Sequence, residues 1–138
     1  SEWQRETAGG IGSEVSLVPL VLLPPRDWLK ERCDRRFDVM MAQGALAEVA
    51  ALRARALSGD LPAMRAIGVP DLARHLDGEL TLDAAVDLAR IATRQYAKRQ
   101  YTWLRGQLPT DWASEARALN DSIINEIVTK LRQRLLTD

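Results

Sequence analysis

The chain has 138 residues, of which 46% are hydrophobic, and its 19 basic side chains are balanced by 19 acidic ones. This apolar content supports one modest hydrophobic core, and the zero net charge excludes a uniformly basic nucleic-acid binder. Any affinity for phosphate must therefore come from uneven placement of the charges. Cys33 is the only cysteine, which excludes an internal disulfide and a cysteine-rich zinc site, and its helical neighbourhood predicts an inert thiol.

Residues 1–14 are predicted to form a flexible lead-in, because their charged side chains and three glycines bury little surface. The sequence begins at Ser1 without a methionine, and we expect it to be part of a longer protein. The next stretch, Val15–Leu23, is too short to span a bilayer and predicts a strand with apolar side chains on both faces. Since Leu108–Trp112 is the only other strand candidate, we expect the further strands of the sheet to precede residue 1.

The rest of the sequence predicts helices, each bounded by a start or stop signal. Gly44 separates the first two into a hairpin, and Val69-Pro70 is expected to end or kink the third. The last helix, within 114–138, has leucines and isoleucines four apart, which predicts an amphipathic helix that packs on the domain or on a partner. The predicted ranges are Arg26–Gln43, Ala45–Leu57, a third helix from Pro62 that continues over Asp71–Leu76, Leu82–Arg105 and Ser114–Leu136.

The second half of the longest predicted helix is strongly basic. Between Arg90 and Arg105 there are five cations and no acidic residue, and Arg90, Arg94 and Lys98 follow one another at intervals of four along one helical face. Two interpretations are open: the cations pair with carboxylates on neighbouring helices, or they form a groove for a polyanion. The interleaved aromatic side chains are either part of the core or free to stack on bases. They are Tyr96, Tyr101 and Trp103.

Two longer strings carry a resemblance to a known family. They are Leu61-Pro-Ala-Met-Arg-Ala-Ile-Gly68 and Thr93-Arg-Gln-Tyr-Ala-Lys-Arg-Gln-Tyr-Thr-Trp-Leu-Arg105. Together with Arg32, Arg35-Arg36-Phe37, Met40 and Met41, they closely resemble tRNA dimethylallyltransferases, which are also called isopentenyl diphosphate:tRNA transferases. The resemblance extends from about Val15 to Trp112.

The resemblance implies an α/β parent fold with a P-loop kinase-like core, of which this chain is a mainly α-helical part with one or two strands. Residues 15–113 would be the carboxy-terminal part of the catalytic core, with the tRNA-binding helices. Such an enzyme transfers a dimethylallyl group from dimethylallyl diphosphate to N6 of adenosine 37, which is flipped out of the anticodon loop. The chain contains no G-x-x-x-x-G-K-[ST]. We therefore expect the phosphate loop, the general base and the ligands of Mg²⁺ to lie outside it, and the chain alone to be inactive.

The resemblance also implies the partners and the compartment. The partners would be the anticodon stem-loop of tRNA and dimethylallyl diphosphate, with no membrane, and the full-length enzyme would be a cytoplasmic monomer. Two other interpretations of the sequence stay open. The chain is either a non-catalytic helical RNA-binding module, or a helical domain that dimerises through its last helix.

Site residues are carried over only where this sequence matches the family pattern. Arg36 would face the diphosphate and stabilise the negative charge that grows on the leaving group. Val69-Pro70 departs from the pattern, which has an aromatic and then a basic residue there, and His75 is expected on a helix surface without a catalytic role. The implied tRNA-binding set is Arg65, Gly68, Arg90, Thr93, Arg94, Gln95, Lys98, Arg99 and Arg105.

Overall fold

The structure is a computed structural model that describes residues 14–136. The described chain is mainly α-helical with one pair of strands, which confirms the predicted fold class. It divides into two compact units. The helical unit is Pro24–Leu108, and the strand unit comprises the described parts of Ser1–Leu23 and Pro109–Asp138. The elements are β1 (Leu20–Leu22), α1 (Arg26–Ala42), α2 (Ala45–Ala54), a 3₁₀ turn (Pro62–Arg65), α3 (Val69–Leu76), α4 (Leu82–Gln107), β2 (Ala113–Glu115) and α5 (Asp121–Leu135).

The strand unit contains a short parallel pair of strands. Leu20 lies opposite Ala113, and the N–H of Leu23 donates to the carbonyl of Glu115 at 2.8 Å just beyond the ladder. The predicted strand over Val15–Leu23 is therefore too long, because Pro19 has no N–H to donate and restricts the residue before it. The second strand was predicted over Leu108–Trp112 and lies directly after that range instead.

Helix α5 begins later than predicted. Ser114 is in β2, so the expected helix start there is wrong. Asn120 has an extended backbone, and its side-chain oxygen accepts a hydrogen bond from the N–H of Ile123 at 2.9 Å, which caps the helix. The half-buried Ile127 and Leu131 line a cleft of about 400 Å³ with residues of both strands. These two residues of the apolar stripe of α5 thus face their own unit, whereas Leu135 is 67% exposed.

An ionic network connects β2 to α5 around Arg117. Its guanidinium donates to both carboxylate oxygens of Glu115, at 2.9 and 2.6 Å, and to Glu126 at 3.0 Å. Lys130 donates to the other oxygen of Glu126 at 2.7 Å. The hydrogen bonds from Arg117 lower the pKa of Glu115 to about 2 and also lower the pKa of Glu126. Both carboxylates are therefore held in their charged form.

This network predicts acid sensitivity of the strand unit. Since folding lowers the pKa of Glu115 from 4.5 to about 2, its contribution to stability is complete above pH 4.5 and is lost as the pH falls toward 2. Glu115→Gln should therefore reduce the drop in melting temperature between these pH values, measured by circular dichroism. Glu48→Gln, at an exposed residue of α2 without an ion pair among residues 14–136, is the control and should melt like the parent chain. Equal drops for Glu115→Gln and the parent would contradict the prediction.

In the helical unit, α1 and α2 form the predicted hairpin about Gly44, whose φ is +101°. Helix α2 ends at Ala54, three residues earlier than predicted. Ala56 has φ +48°, and its N–H donates to the carbonyl of Arg53 at 2.9 Å. A left-handed residue cannot continue a right-handed helix, so the chain turns there.

The expected third helix is divided differently. Pro62–Arg65 is only a 3₁₀ turn, and Val69-Pro70 begins α3 instead of ending a helix. The prediction was wrong because Pro70 occupies the first turn, where the missing N–H has no helical partner to lose. Helix α4 begins as predicted, since Thr81 Oγ1 accepts from the N–H of Ala84 at 3.2 Å. It passes through Gly106 to Gln107 and ends before Pro109, because the residue preceding a proline favours extended backbone.

The core of the helical unit centres on the contact between α1, α3 and α4. Phe37 is buried with Leu72, Ala85 and Ala89. Gly68 precedes α3 with φ +93°, and a Cβ on it would lie 3.0 Å from Phe37 Cε2 and 3.8 Å from Ala89 Cβ. The phenyl ring therefore occupies the space that any other residue at position 68 would need.

Gly68→Ala should destabilise the chain more than Gly44→Ala. Both glycines have positive φ, which costs an L-residue about 1–2 kcal/mol, but nothing lies within 4 Å of a Cβ at Gly44. Gly68→Ala adds overpacking against Phe37, worth about 1–3 kcal/mol more. Urea denaturation measures both free energies of unfolding. Equal losses for the two variants would mean that the ring of Phe37 moves aside freely.

Candidate nucleic-acid interface

The basic part of α4 is attached to α1 by two sets of ion pairs. Arg94 Nη1 donates to both carboxylate oxygens of Asp34, at 3.0 and 2.8 Å, and Arg90 donates to Asp38. The partners are four residues apart on each helix and occur in opposite order, so the two helices are antiparallel here. Phe37 lies between the two aspartates in sequence and packs in the core between the helices.

The guanidinium of Arg90 makes its hydrogen bonds within the helical unit. Besides Asp38 it donates to Asp87 at 3.2 Å, and its side chain is 31% exposed. Its Nε is buried and has no partner in the part of the chain that the structure describes. The hydrogen bond to Asp38 raises the pKa of Arg90, so the guanidinium stays charged. For Arg90 and Arg94, therefore, the pairing interpretation of the basic helix is confirmed.

The other three cations of α4 are different. Lys98, Arg99 and Arg105 are exposed, and none has an ion pair within residues 14–136. Tyr96 and Trp103 are 47% and 58% exposed, so these two aromatic side chains are not part of the core. The guanidinium of Arg99 lies 5.7 Å from the centre of the Tyr96 ring. We call these five side chains the outer basic face.

Gln95, Lys98, Arg99 and Trp103 also line a shallow groove along the end of α4. Thr93, by contrast, uses its hydroxyl within the helix, where it donates to the carbonyl of Ala89 at 2.8 Å. A groove with cations, amides and exposed rings suits a single-stranded nucleic acid, since phosphates bind the cations and bases stack on the rings.

A second cleft, of about 350 Å³, lies between the first half of α1 and the middle of α4 and shares Gln95 and Lys98 with the groove. It brings the predicted Arg94, Gln95 and Lys98 together with two cations of α1 that sequence reasoning missed, Arg26 and Lys30. The signal for these two was their spacing of four, the same spacing that singled out the face of α4. The full lining is Arg26, Leu29, Lys30, Cys33, Ile91, Arg94, Gln95, Ala97, Lys98 and Tyr101.

Cys33 lies on the wall of this cleft and is partly buried. Burial, and to a smaller extent Asp34, raises the pKa of its thiol. A raised pKa lowers the thiolate fraction at neutral pH, and the thiolate is the reactive form. The chemistry of the cleft therefore comes from its cations.

The remaining candidate residues lie apart from the outer basic face. Arg36 is exposed on α1 and does not line the cleft. Arg65 pairs with Asp60 and donates to the carbonyl of Gly59 at 3.3 Å, so its contacts are local to the loop. Gly68 is buried against Phe37, which accounts for a glycine there without an RNA contact. His75 Nδ1 lies 3.0 Å from the carbonyl oxygen of Leu80, at the turn that follows α3.

Comparison with known proteins places the chain in a family. A family model described as IPP transferase matches residues 1–107. The chain belongs to the IPP transferase family. It is 53% identical over 137 residues to a tRNA dimethylallyltransferase of Sphingopyxis alaskensis, and 59% identical over 110 residues to one of Novosphingobium aromaticivorans. These matches cover 99% and 80% of this chain but only 45% and 39% of the relatives, so the chain spans less than half the length of these family members.

Solved structures of the family agree with the fold. The full-length tRNA isopentenylpyrophosphate transferase of Bacillus halodurans has a TM-score of 0.72 at 34% identity, over 88% of this chain and 40% of that one. The tRNA delta(2)-isopentenylpyrophosphate transferase of Staphylococcus epidermidis has a TM-score of 0.70 at 28% identity, over 85% and 38%. None of the described helices has the length and apolarity that a membrane crossing needs.

The two kinds of cation on α4 should respond differently to mutation. Arg90→Ala removes the bonds to Asp38 and Asp87 and should lower the free energy of unfolding by about 1 kcal/mol, a value reduced for partial exposure. Lys98→Ala should change it by less than about 0.5 kcal/mol. For binding of an anticodon stem-loop RNA, Lys98→Ala should cause a larger loss of affinity than Arg90→Ala. Fluorescence anisotropy at several salt concentrations measures these affinities. If Lys98→Ala melts the chain while RNA binding persists, the outer basic face is structural.

Proposed function

We propose that the chain is the carboxy-terminal, tRNA-binding part of a tRNA dimethylallyltransferase, which transfers a dimethylallyl group from dimethylallyl diphosphate to N6 of adenosine 37 beside the anticodon. The matched relatives are named for this activity. The observation that carries the proposal is the outer basic face: in a chain of zero net charge, three cations without an ion pair in residues 14–136 lie on one helix with two exposed rings. An anticodon loop offers both phosphates and unstacked bases to such a surface.

The outer basic face would hold the RNA by two kinds of contact. Lys98, Arg99 and Arg105 would bind phosphate oxygens, which position the loop without reading its sequence. Tyr96 and Trp103 would stack on bases of the loop, a contact worth about 1–3 kcal/mol per base. Arg90 serves this surface indirectly, because its bonds to Asp38 fix α4 against α1.

In the chemical step, N6 of the adenine attacks C1 of the dimethylallyl group. The bond from C1 to the diphosphate oxygen breaks, its electron pair leaves with the diphosphate, and a base takes the proton from N6. Arg36 would stabilise the charge that develops on the leaving oxygen. Its exposed position on α1 leaves the guanidinium accessible to such a ligand. The phosphate loop and the base would come from the part of the enzyme outside this chain.

Mg²⁺ is part of the proposal only because the family resemblance implies it. Among residues 14–136 no group of three or more histidine, cysteine, aspartate or glutamate side chains is placed to hold a metal ion. We therefore assign no step of the reaction to a metal bound by these residues. We further propose that the whole enzyme is a cytoplasmic monomer, as the family resemblance implies.

A chimaera tests the activity. The segment of the Sphingopyxis alaskensis relative that matches this chain would be replaced by the matching residues of this chain. Transfer of radiolabelled dimethylallyl from its diphosphate to an anticodon stem-loop would then be measured. We expect transfer by the chimaera and none by the 138-residue chain alone. A folded chimaera without transfer would contradict the proposal, as would transfer by the chain alone.

The same chimaera tests Arg36. Loss of one group that stabilises a leaving-group charge lowers kcat by about 10²–10³. Arg36→Ala should show a loss of this size, while Arg35→Ala, at the neighbouring exposed arginine of α1, should retain nearly full activity. Similar activities of the two variants would remove Arg36 from the reaction.

A further inference from the structure

We propose that the cleft between α1 and α4 is a preorganised phosphate-binding site, in which Arg26 and Lys30 of α1 face Arg94 and Lys98 of α4 and Asp34 positions Arg94. The inference rests on the proposed function, since that function requires the chain to meet phosphate groups on tRNA and on dimethylallyl diphosphate. It adds a second helix to the binding surface and a carboxylate whose role is to hold a cation in place.

The charge in the cleft favours an anion. Four of its lining side chains are cationic, and no carboxylate is among the lining residues. Two aspartates outside the lining pair with two of these cations: Asp27 pairs with Lys30 at 3.1 Å, and Asp34 pairs with Arg94. Two positive charges are therefore left without a partner in the described chain. The rest of the wall combines aliphatic side chains with Cys33, the amide of Gln95 and the ring of Tyr101, and none of these groups carries a negative charge that would repel an anion.

Both guanidinium groups already have a contact within the protein. Arg26 lies over the ring of Tyr101, with its Cζ 5.1 Å from the ring centre. Arg94 is held by Asp34, with both carboxylate oxygens accepting from the single nitrogen Nη1. Its Nε and Nη2 make no bond within residues 14–136 and are available to phosphate oxygens. Groups that are already ordered lose less entropy when they bind, which favours affinity.

The size of the cleft fits a phosphate or diphosphate group. At about 350 Å³ it lies at the lower end of the range for small-ligand pockets, which is roughly 300–1,000 Å³. Phosphate is the chemistry shared by the tRNA backbone and by the diphosphate of the prenyl donor. The arginine fork matches two phosphate oxygens at once, and the two lysines add point charges from opposite walls.

The first test uses the 138-residue chain and two probes, a fluorescein-labelled anticodon stem-loop RNA and inorganic pyrophosphate. Arg26→Gln with Lys30→Gln removes the α1 half of the cleft. Loss of charged hydrogen bonds should weaken binding of at least one probe by about tenfold, and the salt slope for RNA should fall by roughly 0.7 per lost contact. Arg55→Gln with Arg132→Gln is the matched control, because it removes two exposed cations that do not line the cleft.

The pattern of loss identifies the source of the phosphate. Weakened RNA binding alone assigns the cleft to the tRNA backbone, and weakened pyrophosphate binding alone assigns it to the diphosphate. If the cleft variant binds both probes as tightly as the parent chain, the inference is wrong while RNA binding by the parent still supports the proposed function. If the parent binds pyrophosphate through the cleft but no RNA, the cleft stands and the tRNA-binding role fails. If the parent binds neither, both fail.

A second variant protects the test against misfolding. Lys30→Gln alone changes one exposed lysine of α1, and it leaves the stacked Arg26, the paired Arg94 and Lys98 of the outer basic face in place. It should unfold at the same temperature as the parent chain and lose affinity for the same probe as the first variant. Unchanged affinity in this folded variant would also overturn the inference.

The role of Asp34 is tested by whether its replacement weakens or strengthens binding of the probe. Asp34→Asn removes a negative charge from the basic surface. If Asp34 only competed with the probe for Arg94, removing its charge would therefore make the probe bind more tightly. A positioning role predicts the opposite, weaker binding, because the guanidinium loses its fixed orientation. Asp38→Asn is the control, since it removes the same charge from the next turn of α1 and loosens Arg90 instead. Tighter binding by Asp34→Asn would remove Asp34 from the site.

Discussion

The packing of Phe37 against Gly68 and Ala89 is the constraint on which the rest of the helical unit depends. A phenyl ring fits there only because one neighbour has no side chain and the other has a single methyl group. This contact sets how closely α1 approaches α4, and interiors this dense do not tolerate an added carbon without a shift. At this spacing the aspartates on either side of Phe37 reach Arg94 and Arg90. The core and the basic surface are thus set by one contact.

The basic helix serves two purposes along its length. Its first two arginines are neutralised by α1 and hold the helices together, and its last three cations stand in solvent beside exposed rings. The pairing interpretation therefore holds for the first part of the helix, and the groove interpretation stays a proposal for the last part. A chain of zero net charge has a cationic surface here because the carboxylates of α1 pair with the first two arginines of α4, and the last three cations have no ion pair in the described residues.

Local signals predicted the helices well and the strands poorly. Thr81 and Gly44 mark their helix ends by short-range chemistry that is legible in one sequence, whereas Pro70 is compatible with either the end or the beginning of a helix. The family followed from long strings of residues, but the cleft did not. Its two walls come from α1 and α4, and Asp34 and Arg94 are 60 residues apart. No periodicity on one helix reveals which side chains a second helix brings to it.

The way Asp34 holds Arg94 also explains why an arginine is needed at that position. A lysine at this position would have only one side-chain nitrogen. If that nitrogen paired with Asp34, a second anion would have to bind to the same nitrogen. Arginine divides its donors among three nitrogens in a rigid plane, so one can remain bonded to the protein while the others point elsewhere. Replacement by the residue of the same charge would therefore keep the ion pair and lose the geometry. Charge alone is an incomplete description of what position 94 contributes.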